Sequence, residues 1–433
     1  MNELNLLRSI DPKIASLLDA ELERQEDSLM MIPSENYASK AVMEALGSVF
    51  TNKYSEGYPG NRYYQGTENY DVLENLVIDR AKELFEVEHV NVQPYSGSVA
   101  NSAVYMALLE SGDKILGMSL SSGGHLSHGH DKITFGGKYF TTIHYDVGQN
   151  GYLDYDEIER IAKDEKPKLI ICGFTAYPRL VEFEKFGQIA DSIGAWLLAD
   201  ISHISGLVAG KMHPSPVNYA HIVMTTTHKT LRGPRGAMLM VTKKGLERDS
   251  KLSAKIDKAV FPGLQGGPHN NQIAALGVAL TEAKKSAFKA YVKKIVQNAN
   301  VLASELINFG WELSSGGTDT HLILADLRKF EVDGKTAAVA MEIASMVMNA
   351  NSVPFDTASA LKPSGIRFGT PGLTTRDMGA VEMKKIAGFM NDVIEVIKGR
   401  EGKQEGLYQD KDLRRIGEKV RDLARLFPVY GEK

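Results

Sequence analysis

The sequence predicts an α/β protein in which a largely parallel sheet is joined to a second, smaller α+β domain. From about Glu74 onward, short apolar runs rich in β-branched residues alternate with helical segments, a pattern typical of parallel sheets. After Pro268 the composition changes, and a helical tract from Gln272 to about Phe309 precedes short strands and helices. The chain has 433 residues, of which 43% are hydrophobic and 24% charged, which is ordinary for a folded protein of more than one domain.

The elements follow one another in a clear order. Apolar and charged side chains stand at helical spacing up to about residue 30, and Pro33 ends this segment. The section from Thr51 to Asp71 is rich in Gly, Tyr and Asn, which predicts an ordered loop. Four apolar runs beyond it predict buried strands: DKILGMSL, PKLIICGF, AWLLADISH and AHIVMTTTH. We therefore expect an N-terminal helical arm at 1–48, a large domain at 49–275 and a small C-terminal α+β domain at 276–433.

Composition argues against several classes of protein. The formal net charge of −4 gives no basic field, so we expect no nucleic-acid partner. No apolar run approaches the roughly 18 residues of a membrane span, so we expect no membrane association. The N-terminal stretch carries acidic residues throughout, unlike a secretory signal or a transit peptide. Cys172 is the single cysteine, which fits a reducing compartment, and we expect a cytoplasmic protein.

A lysine follows one of the predicted buried strands. Lys229 lies in TTTHKTLRGPRG, directly after the apolar run that begins at Ala220. Lysine is almost never fully buried without a partner or a purpose. Either Lys229 reaches the surface, or its amine has a chemical role.

Two further features suggest what that role is. Asp200 ends AWLLAD, and ligands of open α/β sheets bind at the carboxyl ends of strands. A carboxylate there keeps a ring nitrogen protonated or caps the next turn. Ser96, Gly97 and Ser98 precede a helical segment, where they bind a phosphate or act as an ordinary N-cap. Together with Lys229 these residues match the phosphate, ring nitrogen and aldehyde carbon of pyridoxal phosphate, the lysine forming the Schiff base.

Other candidate residues are ambiguous by themselves. Arg367, in PSGIRFGTP, has a planar fork suited to gripping a carboxylate, or is a surface arginine. Glu56 lies among four tyrosines and is either a proton shuttle or a solvent-facing acid. The histidines of GGHLSHGH lack a carboxylate or thiol at useful spacing, so we expect no metal site.

Eight motifs occur in the order found in one known family. They are PSENYAS, NKYSEGYPGNRYYQG, NVQPYSGSVAN, GGHLSHG, LLADISHISGLVAG, TTTHKTLRGPRG, FPGLQGGPHN and PSGIRFGTP, and they span residues 33 to 372. The sequence thus resembles serine hydroxymethyltransferase, a pyridoxal-phosphate enzyme of the aspartate-aminotransferase fold type. The resemblance implies a large domain with a mostly parallel, seven-stranded sheet. It also implies a cytoplasmic homodimer active in one-carbon metabolism and amino-acid biosynthesis.

The reaction implied is the reversible transfer of the serine hydroxymethyl carbon to a reduced pterin, which gives glycine and a methylene-pterin. An aldolase for β-hydroxy amino acids such as threonine would use the same cofactor without a pterin, and pterin binding separates the two. A cofactor-binding protein without catalysis would lack the lysine or the arginine, and Lys229 and Arg367 are both present.

The resemblance also implies roles for individual residues. Lys229, Glu56 and Tyr54 would be catalytic, the last two reaching in from the partner subunit. The cofactor would be bound by Ser96, Gly97, Ser98, His125, Thr175, Asp200, His203, Thr226, His228 and, from the partner subunit, Gly266 and Gly267. The substrate would be bound by Ser34, Tyr54, Glu56, Tyr64, His203 and Arg367. The pterin would be contacted by Leu120, Gly124, Leu126 and Asn351.

Two departures from the family pattern lie near the pterin positions. LSSGGH stands where bacterial members usually have LAHGGH, and the loop NSVPFDTASALKP lacks the family's Asn-Asp-Pro and Ser-Pro-Phe pieces. The loop instead carries Phe355, Ala358, Ala360 and Leu361. A modified pterin of the kind many archaea use would need such a change, as in an archaeal-type member. The alternative is that the loop has simply drifted.

Overall fold

The computed structural model describes residues 5–131, 133–359, 361–400, 402 and 404–431. Contacts divide the chain into two compact units, one formed by residues 41–293 and the other by residues 1–40 with 294–433. These units are defined by contacts and do not test the predicted domain boundaries at 48/49 and 275/276, which stay a prediction.

A seven-stranded sheet organises the described part of the 41–293 unit. Its strands, numbered along the chain, are β1 (His89–Asn91), β2 (Lys114–Met118), β3 (Thr141–Tyr145), β4 (Leu169–Gly173), β5 (Trp196–Asp200), β6 (Ile222–Thr226) and β7 (Ala237–Val241). Their order in the sheet is β1-β7-β6-β5-β4-β2-β3. Strands β2 to β6 pair in parallel and β7 pairs antiparallel with β6 and β1. The predicted α/β fold with a mostly parallel sheet is confirmed.

The central strands are apolar because helices cover both faces of a parallel sheet. All five residues of β4, β6 and β7 are buried. The α-helices of this unit and at its first boundary are Lys40–Leu46, Glu68–Phe85, Gly97–Leu108, Phe135–Tyr139, Tyr155–Glu165, Phe183–Ile193, Ser205–Ala209, Lys243–Arg248, Leu252–Lys258 and Asn270–Ala283. A short hairpin, Gly57–Tyr58 with Asn61–Arg62, lies in the loop predicted between Thr51 and Asp71.

The other unit contains a four-stranded antiparallel sheet. Its strands, in sheet order, are Glu312–Leu313, Leu322–Asp326, Gly365–Gly369 and Asn349–Asn351. The strand Leu29–Met30 pairs in parallel with Met346–Val347. The α-helices are Asn5–Ile10, Pro12–Asp27, Gly334–Ile343, Pro371–Thr375, Ala380–Ile397 and Lys411–Arg425. Helix Ser286–Asn308 contributes residues to both units.

The predicted helical tract from Gln272 to Phe309 is two helices rather than one. Helix Asn270–Ala283 ends before Lys284, and the next helix begins at Ser286. Apolar periodicity continues across the break, so periodicity alone did not reveal it.

His221 is a buried histidine beside β5 and β6. Its Nδ1 accepts the Leu197 backbone N–H at 2.9 Å, and its ring packs edge-on against Trp196 with centroids 5.1 Å apart. Burial lowers the pKa of His221 to about 4, with the positive charges of Arg248 and Lys244 acting in the same direction and Asp191 opposing them. The neutral imidazole is therefore part of the folded structure.

We expect His221 to lower the stability of the folded protein as the pH is lowered below about 6.5. Above about pH 6.5 the ring is neutral in the folded and unfolded chains, so its contribution is complete. Between pH 6.5 and about 4 the unfolded chain binds a proton that the folded chain does not, and the free energy of unfolding falls by up to roughly 3 kcal/mol. Melting temperatures should therefore depend less on pH in His221→Asn than in the wild type or in a His130→Asn control. Parallel profiles for all three would contradict this.

Candidate active site

The turn after β6 buries Lys229. The lysine lies three residues beyond Thr226, in a turn closed by the Gly233 N–H on the Thr227 carbonyl at 2.7 Å. Lys229 is 9% exposed, so it has not reached the surface. The structure therefore rules out a surface lysine, and a chemical role for the amine stays a prediction.

Asp200 ends the neighbouring strand, β5, which is parallel to β6. Its Oδ2 lies 2.8 Å from His128 Nε2 and accepts a hydrogen bond from Asn101 Nδ2 at 3.1 Å. Its Oδ1 accepts the Ser202 N–H at 3.1 Å. Burial acts to raise the pKa of Asp200, but the His128 hydrogen bond and charge and the Lys229 charge outweigh it and hold that pKa below its usual value. Asp200 is therefore a buried carboxylate anion.

Asn101 and His128 are site residues that sequence reasoning missed in this role. In the sequence, His128 stands out only as one of a group of histidines, and Asn101 does not stand out at all. His128 is 72 residues and Asn101 is 99 residues from Asp200 along the chain, so no local spacing predicts these contacts. Among the described residues no group of three or more His, Cys, Asp or Glu side chains could hold a metal ion.

Hydrogen bonds tie the turns after β5 and β6 to each other. The Thr226 N–H donates to Ser202 Oγ at 3.0 Å, and the Thr230 hydroxyl donates to the His203 carbonyl at 3.0 Å. The Gly206 N–H in turn donates to Thr230 Oγ1 at 2.9 Å. These bonds hold the segment carrying Lys229 at a fixed place relative to the segment carrying Asp200 and His203.

Ser96 begins the helix Gly97–Leu108 as its N-cap, and its hydroxyl accepts the Val99 N–H at 3.5 Å. A Cβ on Gly97 would lie 2.8 Å from Thr226 Cγ2, so glycine is needed for this close approach. Thr226 is buried, and within the described part of the chain its Oγ1 has no hydrogen-bond partner. An unpartnered buried hydroxyl beside a helix N-terminus fits an anionic phosphate, so the residues present fit the predicted cofactor.

His228 comes directly before the lysine. Burial lowers the pKa of His228 to about 3, and the charges of Arg235 and Lys229 act in the same direction. The imidazole is therefore neutral at physiological pH and adds no positive charge beside Lys229.

The loop that carries His125 is held rigidly. Thr175 Oγ1 donates to the carbonyls of Gly124 at 2.9 Å and Gly123 at 3.2 Å. A Cβ on Gly124 would lie 2.0 Å from the Met118 carbonyl oxygen, so no larger residue fits there. His125 Nδ1 lies 2.7 Å from Ser127 Oγ. Thr175 thus positions the loop that presents His125.

The four residues expected to serve the partner subunit lie together. A Cβ on Gly267 would lie 2.9 Å from Tyr54 Cδ1, and one on Gly266 would lie 3.5 Å from Glu56 Oε1. Tyr64 stacks on Tyr54 with ring centroids 5.6 Å apart. We call Tyr54, Glu56, Gly266 and Gly267 the shared cluster.

Arg367 lies on strand Gly365–Gly369 of the other unit. Its Nε donates to Asn349 Oδ1 at 3.1 Å. Burial lowers the pKa of Arg367 to about 10 against the opposing charge of Glu35, so it is a cation at neutral pH. The Gly369 N–H donates to the Met31 carbonyl at 2.7 Å, which brings the segment leading to Ser34 beside the strand of Arg367.

The predicted pterin residues lie in two segments. Leu120, Gly124 and Leu126 follow β2, with Leu126 exposed, whereas Asn351 ends the strand paired with Gly365–Gly369. In the LSSGGH segment Ser122 is buried and its hydroxyl donates to Asp146 Oδ1 at 2.6 Å. This departure from the family pattern therefore anchors the loop that contains it.

Comparison with known proteins identifies the family of this chain. The family model for serine hydroxymethyltransferase matches residues 7–390. A serine hydroxymethyltransferase of Acidothermus cellulolyticus is 51% identical over 429 residues, covering 99% of this chain and 98% of the relative. Those of Desulfotalea psychrophila and Wolbachia pipientis are 48% and 50% identical over 428 residues each, covering 99% and 98% of this chain and 96% and 97% of the relatives.

The fold and the matches define a pyridoxal-phosphate-dependent one-carbon transferase of fold type I. The chain belongs to the serine hydroxymethyltransferase family, which converts serine and tetrahydrofolate to glycine and a methylene-pterin. The predicted family, fold class and reaction are confirmed. The roles of the individual residues stay predictions.

Gly97 offers a test of the phosphate-site geometry. We expect Gly97→Ala to weaken pyridoxal phosphate binding roughly tenfold or more, because its Cβ would press on Thr226 Cγ2. Thr226→Ser removes that methyl group and keeps the hydroxyl, so the double variant should regain most of the affinity. Titration of the apoprotein with the cofactor measures this, and a double variant as weak as Gly97→Ala would contradict it.

Proposed function

We propose that this chain binds pyridoxal phosphate at the carboxyl ends of β5 and β6. Lys229 would bind the aldehyde carbon and Asp200 the ring nitrogen. Ser96, Gly97 and Ser98 would bind the phosphate together with Thr226. His125 would lie on the ring, and Thr175, His203 and His228 would line its surroundings. When bound, the cofactor withdraws electrons from the substrate Cα.

One observation carries this proposal: the buried Lys229 lies near Asp200, a buried carboxylate that stays ionised. An ionised Asp200 favours a proton on the ring nitrogen it faces, and that proton strengthens electron withdrawal. His128 and Asn101 support this role by donating to, or pairing with, the same carboxylate oxygen. Thr226 adds an unpartnered donor at the phosphate end, within the described residues.

Substrate recognition would come from a second set of residues. Arg367 is a cation with two-pronged geometry, and with Ser34 and Tyr64 it would bind the amino-acid carboxylate. Glu56, with Tyr54, would take the proton of the serine hydroxyl as the Cα–Cβ bond breaks. In the reverse direction Glu56 would return that proton.

We further propose a homodimer with shared active sites, in which the shared cluster serves the neighbouring subunit. Two features support this arrangement. Tyr54 is 63% and Tyr63 69% exposed, a large apolar exposure for one loop, which marks interaction sites. Hydrogen bonds from Arg62 also fix the conformation of this loop. Its Nη2 donates to the buried Glu74 carboxylate at 2.7 Å, and its Nη1 donates to the carbonyls of Ser55 and Gly57.

Mixing two inactive variants tests the shared site. Glu56→Gln and Lys229→Ala should each abolish serine cleavage, because each removes one essential group from every site. After random subunit exchange, hybrid dimers would hold one intact site, and about a quarter of the wild-type activity should return. Native mass spectrometry verifies the exchange. No recovery in a verified mixture would show that Glu56 and Lys229 do not act across subunits.

The remaining partners follow from the reaction. We propose that serine, glycine and a reduced pterin are the small-molecule partners, with Leu120, Gly124, Leu126 and Asn351 contacting the pterin. The cytoplasm is the proposed location, since buried Cys172 has no second cysteine to pair with. No described helix is long and apolar enough to cross a membrane.

The loop NSVPFDTASALKP, residues 351–363, bears on which pterin is preferred. Phe355 and Leu361 are exposed, and Ala360 lies outside the described residues. Asp356 fixes the loop by accepting the Ser364 N–H and hydroxyl at 2.9 and 2.7 Å. Apolar side chains here would offer fewer hydrogen bonds to tetrahydrofolate.

We expect tetrahydrofolate to be accepted and a modified tetrahydropterin to have the higher kcat/KM. Each hydrogen bond that the apolar loop does not make lowers the affinity for tetrahydrofolate by up to about tenfold. Comparing kcat/KM for the two carriers measures this. A clear preference for tetrahydrofolate would mean that the loop has drifted without changing the carrier.

A further inference from the structure

Tyr95 joins two segments that belong to different parts of the proposed site. It directly precedes Ser96, the N-cap of helix Gly97–Leu108. Its hydroxyl donates to the Gly267 carbonyl at 2.6 Å, and its ring stacks on His269 with centroids 4.1 Å apart and planes 6° from parallel. One side chain therefore connects the phosphate-binding helix start with the end of the FPGLQGGPHN motif.

Gln265 fastens the same two segments at two more points. Its Oε1 accepts the Tyr95 N–H at 2.9 Å, and its Nε2 donates to the Gln93 carbonyl at 2.8 Å. Gln265 is buried, so both bonds lie away from bulk water, where an unmade bond is costly. Segments 93–95 and 265–269 are thus bound to each other by three hydrogen bonds and the stack of Tyr95 on His269.

Segment 265–267 contains two residues of the shared cluster, Gly266 and Gly267, and lies beside the other two. Gly267 packs against Tyr54 and Gly266 lies beside Glu56. Burial raises the pKa of Tyr95, and the charges of Glu56 and Tyr54 raise it further, which reflects how near they are. A displacement of Tyr95 would therefore move both the helix start at Ser96 and the shared cluster.

We propose that Tyr95, held by Gln265, is a positioning residue that couples the two cofactor sites of the dimer. This inference rests on the proposed function, in which Ser96 to Ser98 serve their own subunit and Gly266 and Gly267 serve the neighbour. Tyr95 fixes both phosphate-binding segments at once, so its hydroxyl on one subunit sets cofactor retention at the Lys229 of the other.

Hybrid dimers separate this effect from a local one. One chain is wild type, and its partner carries Lys229→Ala with Tyr95→Phe, so covalent cofactor attachment occurs on the wild-type chain. The matched control dimer carries Lys229→Ala alone in the partner, and a second control adds Tyr139→Phe, which removes a hydroxyl from an exposed tyrosine. Different affinity tags on the two chains isolate the hybrids.

The measurement is the pyridoxal phosphate concentration that gives half-maximal borohydride-fixed label on the wild-type chain. We expect the Tyr95→Phe hybrid to need roughly three- to tenfold more cofactor than both controls, because the Gly267 carbonyl loses its donor. Equal concentrations in all three dimers would overturn the inference. Gln265→Met in place of Tyr95→Phe should act in the same direction, and it replaces that variant should the phenylalanine chain not fold.

The mixture of Glu56→Gln and Lys229→Ala chains distinguishes a failure of the shared active site from a failure of the coupling through Tyr95. If that mixture regains activity while the Tyr95→Phe hybrid matches its controls, shared sites stand and the coupling through Tyr95 is wrong. If the mixture regains no activity, the shared site fails, and the coupling fails with it.

Discussion

The buried contact between Asp200 and His128 is the interaction on which the rest of the site depends. A carboxylate at the end of an apolar strand is costly to keep ionised, and His128 at 2.8 Å with the nearby charge of Lys229 makes it stable. Loss of His128 would leave the buried Asp200 carboxylate without this hydrogen-bond partner, which is unfavourable in a buried site. The site therefore depends on the folded chain, which holds His128 and Lys229 close to the buried carboxylate.

The parallel sheet supplies that environment. Strands β5 and β6 are hydrogen-bonded neighbours that run in the same direction, so their carboxyl ends deliver Asp200 and Lys229 to one edge. The hydroxyls of Ser202 and Thr230 then fasten the following turns together. Residues at or just beyond the strand ends provide the chemical groups of the site, and the paired strands fix the positions of those residues.

Local signals let the sequence predict much of this. Lys229, Asp200 and the Ser96 helix start each follow an apolar run or open a helix, and each lies where its pattern indicated. The contacts of Asn101, His128, Tyr95 and Gln265 join residues far apart in sequence, so no spacing rule predicts them. The break before Ser286 was also hidden, because apolar periodicity runs through it.

We propose that the buried amine of Lys229 carries the cofactor beside Asp200. Borohydride reduction of the holoenzyme, followed by proteolysis and mass spectrometry, tests it most directly, because reduction fixes the cofactor to the amine that holds it. We expect one modified peptide, with the added mass on Lys229. Modification of any other lysine, with Lys229 unlabelled, would contradict it.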